Sequence, residues 1–383
     1  MKDSIEALSQ FSQQKQQQFT ANTYTAQQWL DAAPAAAEVR ARLAQLDSPQ
    51  SEWDGAWPVT DAPLNARFQV SAGPDHGVTL IAVDGSQIFP DHHAAILYYL
   101  IQVGGLIFHY DGSTPIPEKD ATLYFRDDEI YDRQGYTIST TDVNRERLVK
   151  EMLWLAGLAE REQQTSPATC FALTDGPLLW SYPERGSETS SAFHRYQEAL
   201  TRLRQSQSVA VGYVDRPGGR ALLDLLWAIQ IPPEKLREQL HATPLQFMSD
   251  HRVMMNFLKP GERSAWFKRL SPTNRLHAGK SNEIWFCYLN VGTSHHPAIA
   301  RVELPDWAAQ QDHLMQSLHA ALLHQSRVLN GYPYALARAH EEALVTTRDK
   351  ATLEDVIQRH LMENGVIVRP SDKAIQKSYL GKR

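Results

Sequence analysis

The chain has 383 residues, of which 42% are hydrophobic and 21% are charged, and its formal net charge is −6. This composition predicts a soluble globular protein, built as one large α/β domain with insertions or as two smaller domains. The mildly acidic balance argues against a general nucleic-acid-coating protein, although a local basic strip could still hold DNA. No apolar run is long enough to span a bilayer, and the start of the chain lacks the apolar segment of a signal peptide. We therefore expect a cytoplasmic protein with no membrane contact.

The first part of the chain is predicted to be helical. Residues 1–48 are rich in Gln and Ala and carry apolar side chains at helical spacing, as at Ile5, Leu8 and Phe11. We expect this segment to mediate contacts with a second copy or another partner rather than chemistry. The proline- and glycine-containing interval that follows, residues 49–77, is predicted to be a linker to a main domain.

The main domain is predicted to begin with strands. Residues 78–83 form a short apolar run rich in β-branched side chains, which is typical of a strand buried on both faces. Asp84-Gly85-Ser86 follows and predicts a turn. Two further apolar runs, residues 94–103 and 106–110, flank Gly104-Gly105, and this arrangement predicts a β-hairpin.

The next elements alternate between helix and strand. Residues 142–164 have helical periodicity, and residues 170–174 form another buried strand that ends at Asp175-Gly176-Pro177. Since a crossover helix joins parallel strands, this strand is expected to lie parallel to the first. The segments predicted after it are a helix, a strand and a helix at residues 191–207, 209–214 and 219–230. The resulting order β-β-β-α-β-α-β predicts an α/β mixed sheet and matches the RNase H-like fold.

The rest of the main domain, which is predicted to extend over residues 78–350, contains one segment that fits this scheme poorly. Residues 232–280 are interpreted as an insertion. A strand at residues 284–289 and helices at 307–329 and 333–346 follow, and residues 351–383 are predicted to form a C-terminal helix and a basic tail. Cys170 and Cys287 lie inside apolar runs and are predicted to be buried thiols rather than a disulfide.

The insertion carries a basic and aromatic cluster that has two interpretations. It could bind DNA through charge and ring stacking, or it could be a solvated surface around a buried Trp. Its members are Arg263, Trp266, Phe267, Lys268, Arg269, Arg275 and Lys280.

Three carboxylates are the candidate chemical centre. Asp84 and Asp175 each follow a buried strand, and parallel neighbours would place both at one edge of the sheet. Glu151 lies on the helix that crosses between these strands. It has local rivals in Glu146 and Glu160, but Met152 and Leu155 place it on the packed side of the helix. Each Asp-Gly pair alone is more simply a turn, and a helical Glu alone is usually solvated.

Carboxylates that lie so close together repel one another and need a counter-charge. Hard divalent cations, Mg²⁺ or Mn²⁺, supply it through oxygen ligands. Two such ions about 3.5–4 Å apart can hold the attacking and leaving oxygens of a phosphodiester. The carboxylates therefore predict a two-metal site for phosphodiester chemistry.

At this point the chain resembles the NurA nucleases over roughly residues 75–350. The first and last of the similar segments are the most specific. These segments are 81–87 (IAVDGSQ), 144–156 (NRERLVKEMLWLA), 173–178 (LTDGPL), 211–217 (VGYVDRP) and 331–340 (GYPYALARAH).

The resemblance implies an RNase H-like fold and Mn²⁺- or Mg²⁺-dependent cleavage of DNA. It also implies a homodimer that works with a HerA-type hexameric ATPase in DNA end resection. His340 would join Asp84, Glu151 and Asp175, either as a metal ligand or as a general acid or base. Tyr332 would orient the site or stack against DNA.

The sequence departs from the family at one position that bears on substrate binding. The family often has a Lys after the fifth strand, where this chain offers Arg216 and Arg220. Arginine can contact phosphate but cannot act as a base, so both residues are predicted only as phosphate contacts.

Two other functions remain open at this stage. In one, the chain is a non-catalytic adaptor that docks an ATPase motor to DNA and whose carboxylates are vestigial. In the other, it is a metal-dependent phosphoesterase for small substrates. Metal-dependent degradation of linear DNA separates the nuclease from the adaptor, and a closed pocket rather than an open groove would favour the phosphoesterase.

Overall fold

A computed structural model of the chain describes residues 2–48, 50–69, 73–74, 77–132, 134–165, 168–182, 190–329 and 331–366. Within these ranges, the chain forms an 11-stranded mixed sheet with helices packed against it, so the predicted α/β class is confirmed. The strands are β1 (Ala56–Pro58), β2 (Arg67–Gln69), β3 (Val78–Ile88), β4 (Tyr99–His109), β5 (Ile116–Tyr124), β6 (Thr169–Asp175), β7 (Ser208–Asp215), β8 (Glu262–Ser264), β9 (Phe267–Arg269), β10 (Ile284–Asn290) and β11 (Ile299–Pro305).

The helices follow the chain order in the same way. They are α1 (Lys2–Asp31), α2 (Ala36–Arg42), α3 (Asp127–Ile130), α4 (Thr140–Thr165), α5 (Ser191–Gln205), α6 (Ala221–Gln230), α7 (Leu236–Gln239), α8 (Asp250–Phe257), α9 (Pro272–Ala278), α10 (Asp306–Ala309), α11 (Asp312–Val328), α12 (Tyr334–Ala343) and α13 (Thr347–Glu363). None of the described helices is both long enough and apolar enough to cross a membrane.

The centre of the sheet has the predicted topology. The principal strand order is β1-β9-β10-β11-β7-β6-β3-β4-β5. Strand β6 lies parallel to both β3 and β7, as expected for strands joined by crossover helices, and β3, β4 and β5 form an antiparallel meander. The sequence order β3-β4-β5-α4-β6-α5-β7 matches the predicted β-β-β-α-β-α-β, with the single-turn helix α3 before α4.

Strand β3 is buried on both faces, which explains its continuous apolar sequence. Leu80 and Ala82 pack into the core beneath α11 and α12. Ile81 and Val83 pack into the core beneath α4 and α5. The cysteines Cys170 and Cys287 are both free and buried, as predicted.

The predicted hairpin at Gly104-Gly105 is wrong, because both glycines lie inside the continuous strand β4. A Cβ at Gly104 would collide with the backbone of Glu342 and Ala343 and would lie 2.8 Å from the carbonyl oxygen of Ala339. Helix α12 therefore packs directly on the bare backbone of β4, and glycine is needed here for close approach rather than for a turn. The third strand of the meander is β5, whose largely exposed polar residues carry no buried-strand pattern.

The predicted turn at Asp84-Gly85-Ser86 is also wrong, because β3 continues through it to Ile88. The pairing with β6 ends at Val83, opposite Thr174, whereas the pairing with β4 continues as far as Ile88, opposite Leu100. Asp84 thus lies where the parallel neighbour stops and the antiparallel one continues.

The predicted linker and the predicted insertion pair with each other. Strands β1 and β2 lie within residues 49–77, and β8 and β9 lie within residues 232–280. Strand β1 pairs with β9, and β2 pairs with β8. Because β8 and β9 also pair with β10, both intervals are parts of one sheet edge.

The ends of the chain differ from the prediction in detail. The helical segment 1–48 is divided between α1 and α2, and Leu8 and Phe11 are exposed rather than packed. At the other end, α13 begins at Thr347 and is capped by Thr346 and Asp349. The basic tail of residues 367–383 lies outside the described residues.

Candidate metal centre

Asp84 lies on β3 at the edge where the carboxyl end of β6 meets it. Its side chain is 12% exposed. One carboxylate oxygen, Oδ1, accepts a hydrogen bond of 2.8 Å from the backbone N–H of Gly85. The other, Oδ2, lies 2.6 Å from Nδ1 of His340. These contacts fix the orientation of the carboxylate without consuming all of its acceptor capacity.

Glu151 reaches the same edge from α4, and its side chain is 5% exposed. A Cβ at Gly85 would overlap Glu151 Oε1 and lie 3.0 Å from Glu151 Cγ, so the glycine makes room for this carboxylate beside the strand. Burial raises the pKa of Glu151 to about 7, against the opposing effect of Arg147, and Asp84 and Asp175 raise it further.

Asp175 is the last residue of β6, one position beyond the strand partner of Val83. Burial raises the pKa of its carboxyl group, and the negative charges of Asp84 and Asp215 add to this rise. A hydrogen bond from the Tyr332 hydroxyl opposes the shift by stabilising the charged form. The Tyr332 ring stacks edge-on against Tyr213, with ring centroids 5.7 Å apart. Tyr332 thus orients Asp175 and stabilises its charged form.

His340 comes to the site on α12. Nδ1 contacts Asp84, and the side chain as a whole is 59% exposed. A proton on Nδ1 would be donated to Asp84 Oδ2, which leaves Nε2 as the nitrogen available to solvent or substrate. This geometry disfavours metal ligation through Nδ1 and leaves Nε2 available for either of the two predicted roles of His340.

Arg147 is the cation that faces the carboxylates. It lies one helical turn before Glu151 on α4. Its Nη1 donates to Glu151 Oε1 and, over 3.0 Å, to the carbonyl oxygen of Gly85. The same nitrogen lies 3.9 Å from Asp84 Oδ1. The sequence analysis did not select this residue, although its spacing of four from Glu151 was a signal that could have found it.

Asp215 is a further acidic residue that the sequence analysis did not select. It is the last residue of β7, and it lies two positions beyond Tyr213, the strand partner of Asp175. Its charge raises the pKa of Asp175. The signal that could have found it is the one used for Asp175, an acid at the carboxyl end of a buried parallel strand.

The two arginines predicted to contact phosphate have different surroundings. Arg216 adopts a φ of +45°, a strained conformation for a non-glycine residue, and its side chain is 80% exposed beside Asp215. Arg220 is instead occupied by the fold. It donates to the carbonyl oxygens of Leu245 and Met248, at 2.8 and 3.2 Å. Arg216 is therefore accessible to a phosphate, whereas the expectation for Arg220 is not supported.

The basic and aromatic cluster of the insertion has the buried Trp of the second interpretation, but its cations Lys268 and Arg269 are paired within the fold rather than solvated. Trp266 and Phe267 are buried. Lys268 is paired with Glu283, and Arg269 is paired with Asp54. These cations hold the sheet edge together and do not form an open strip with stacking rings.

The donor set at the carboxylate edge fits a hard divalent cation. Carboxylate oxygens of Asp84, Glu151 and Asp175 are the ligands that Mg²⁺ and Mn²⁺ prefer. Burial raises the pKa of Glu151 and Asp175 despite the opposing charges of Arg147 and His340, so a bound cation would further stabilise the charged carboxylates. Among the described residues, no three Asp, Glu, His or Cys side chains are already arranged as a complete metal-binding group. Glu151 Oε1 is turned towards Arg147 instead.

Comparisons with known proteins agree with this architecture. The family profile described as NurA domain matches residues 78–345. A crystal structure of the NurA nuclease from Sulfolobus solfataricus is similar, with 12% identity, a TM-score of 0.50 and coverage of 85% of this chain and 92% of that chain. A crystal structure of NurA has 13% identity, a TM-score of 0.40 and coverage of 80% and 92%. A crystal structure of NurA with manganese has 12% identity, a TM-score of 0.38 and coverage of 76% and 91%. No curated protein matches the chain.

Proposed function

Because the chain belongs to the NurA family, we propose that it is a metal-dependent nuclease that hydrolyses the phosphodiester bonds of DNA. The observation that carries the proposal is the convergence of Asp84, Glu151 and Asp175 from β3, α4 and β6 on one edge of the sheet, with His340 and Tyr332 beside them. Carboxylates that raise one another's pKa are a combination that a purely structural role does not need.

The residues around the carboxylates have distinct roles in this proposal. Two Mn²⁺ or Mg²⁺ ions, when bound, would activate the attacking water and neutralise the leaving oxygen. Asp84, Glu151 and Asp175 would hold these ions. His340, oriented by Asp84, moves a proton through Nε2. Tyr332 orients Asp175, and the exposed Arg216 contacts a DNA phosphate.

The wider setting is part of the same proposal and rests on the family. The protein acts in the cytoplasm as a homodimer, on an RNase H-like scaffold, and processes DNA ends with a HerA-type hexameric ATPase. The exposed apolar side chains of α1, such as Leu8 and Phe11, offer a surface for a second copy or for the ATPase.

The test is cleavage of end-labelled linear DNA, single- and double-stranded, with Mn²⁺, Mg²⁺ or EDTA. Asp175→Ala is compared with the wild type, and Glu146→Gln serves as a matched control because Glu146 lies on α4 but pairs with Arg195 away from the site. We expect cleavage only by metal-loaded wild type and by the control. If no protein cuts, even with a HerA-type ATPase added, the non-catalytic adaptor becomes the better description. Cleavage by Asp175→Ala would remove the site assignment.

A further inference from the structure

Arg147 contacts the same oxygen atoms that a cation at this site would use. A single nitrogen, Nη1, donates to Glu151 Oε1 and to the carbonyl oxygen of Gly85, and it lies 3.9 Å from Asp84 Oδ1. Two carboxylates and a carbonyl form the kind of oxygen set that binds hard divalent cations. One terminal nitrogen of the Arg147 guanidinium therefore occupies the position that such an ion would take among these oxygen atoms.

The other arginines of α4 and their partners differ from Arg147. Arg145 pairs with Asp142 three residues away, and Arg161 pairs with Glu118 on β5. Arg147 alone among these three contacts Asp84 and Glu151. Its Nε is buried and, like that of Arg145, has no hydrogen-bond partner among the described residues. What distinguishes Arg147 is that its Nη1 contacts the carboxylates of the site.

Arg147 and a divalent ion cannot both use these oxygens without a penalty. Two cations that share the same oxygen ligands lie only a few ångströms apart and repel each other strongly. The Arg147 side chain is 27% exposed, so it has a route outwards. The backbone of Gly85 packs closely against the Arg147 side chain, because a Cβ at Gly85 would lie 3.1 Å from Arg147 Cγ.

We propose that Arg147 is a built-in counter-cation that holds Asp84 and Glu151 together before metal binding and is displaced from them when the metal enters. This inference rests on the proposed function, because it takes the carboxylates to be the metal ligands. It makes Arg147 a positioning residue, which sets the affinity and order of metal loading. Its removal is expected to strengthen metal binding while weakening the metal-free protein.

The experiment measures Mn²⁺ binding to the full chain by calorimetry, without DNA, at an alkaline pH where the carboxylates are ionised. Arg147→Gln removes the charge but can still donate to the Gly85 carbonyl, Arg147→Lys keeps the charge, and Arg145→Gln is the matched control on the same helix. We expect Arg147→Gln to bind Mn²⁺ roughly tenfold more tightly than wild type. Arg147→Lys and Arg145→Gln should remain within about twofold of wild type.

A thermal readout separates this role from a merely structural one. The Tm of metal-free Arg147→Gln should fall below that of wild type, and saturating Mn²⁺ should raise it by more than it raises the wild type. If Arg147→Gln does not fold in EDTA, Mn²⁺ must restore its folding, because the ion replaces the lost charge. Absence of that rescue would overturn the proposal.

The outcomes also separate this inference from the proposed function. Equal Mn²⁺ affinity in wild type and Arg147→Gln overturns the counter-cation role and leaves the nuclease proposal standing. Binding by Arg147→Gln but not by wild type overturns the displacement of Arg147 by the metal and the metal-dependent nuclease together, because the wild type then never loads the ion. Absence of Mn²⁺ binding in both proteins overturns the counter-cation role and the metal site together.

Discussion

Two buried carboxylates, Glu151 and Asp250, have neighbours of opposite kinds. Burial raises the pKa of Glu151 to about 7 and that of Asp250 to about 6. Asp250 accepts the backbone N–H groups of Leu222 and Leu223 at the start of α6, and the Tyr288 hydroxyl at 2.6 Å. Neutral donors therefore satisfy it, as in a helix cap.

Glu151 has other carboxylates and one arginine as neighbours instead. The comparison shows that burial and a raised pKa do not by themselves identify a functional acid. The partners decide, because neutral donors make a buried carboxylate a structural element, whereas like charges leave it dependent on a cation. The predictions below test this distinction.

The largest expected effect is on cleavage. Glu151→Gln should lower the rate of DNA cleavage by roughly 100- to 1000-fold, since the amide is a poor ligand for a hard cation. The measurement is single-turnover cleavage of labelled linear DNA in Mn²⁺. Glu146→Gln, on the same helix, should cleave like wild type. If Glu151→Gln cleaves DNA like wild type, Glu151 has only a structural role, as Asp250 does.

The next effect is on stability and belongs to Asp250. Asp250→Ala should lower the free energy of unfolding by about 2–4 kcal/mol, because it leaves the α6 N–H groups and the Tyr288 hydroxyl buried without partners. Denaturant unfolding followed by circular dichroism measures this loss. Per folded molecule, Asp250→Ala should still cleave DNA, and a loss of cleavage without a loss of stability would contradict the structural role.

The pH dependence of stability should distinguish wild type from Glu151→Gln in EDTA. Glu151 holds its proton more tightly in the folded chain, with a pKa of about 7, than at its ordinary value of 4.5. This contribution to stability is complete below the ordinary value and is lost as pH rises towards 7. Glu151→Gln should therefore gain up to about 3 kcal/mol relative to wild type between pH values of about 5 and 8. If the free energy of unfolding changes with pH in the same way for both proteins, the charge of Glu151 is already compensated in the folded wild type.

The smallest effect concerns the hydroxyl that supports Asp175. Tyr332→Phe keeps the ring against Tyr213 but removes the hydrogen bond, and cleavage should fall by about tenfold. Because that bond lowers the pKa of Asp175, the acidic limb of the cleavage-rate profile should move to higher pH. The pH–rate profile of the variant in Mn²⁺ measures this shift, and an unshifted profile would limit Tyr332 to packing.

The sequence predicts the parts of the fold that depend on local pattern. Strands β3, β6 and β7 are apolar on both faces, and α4 has a clear helical period, so their order and parallel pairing could be inferred. The edge of the sheet could not be inferred, because β1, β2, β8 and β9 are each three residues long. In addition, β1 and β2 pair only with strands some 200 positions away in the sequence.

Part of the site was predictable from local sequence pattern. Asp84 and Asp175 follow buried runs, and Glu151 is on the packed face of α4. Arg147 and Asp215 were missed because the sequence does not show which charged neighbour faces inwards. Gly85 and Gly104 were interpreted as turn residues, since sequence alone does not separate a glycine that turns the chain from one that admits a neighbour.

The packing of α12 against β4 affects the order in which these elements fold. Gln102 Nε2 donates to the carbonyl oxygens of Glu342, Ala343 and Leu344 at the end of α12. The helix that carries His340 is thus terminated by a strand some 240 residues earlier, and it can dock only after the meander exists. Hydrogen exchange during refolding should show α12 gaining protection with β4 or after it. Until α12 docks, Asp84 lacks its contact with His340, so the carboxylate edge is completed only at a late step of folding.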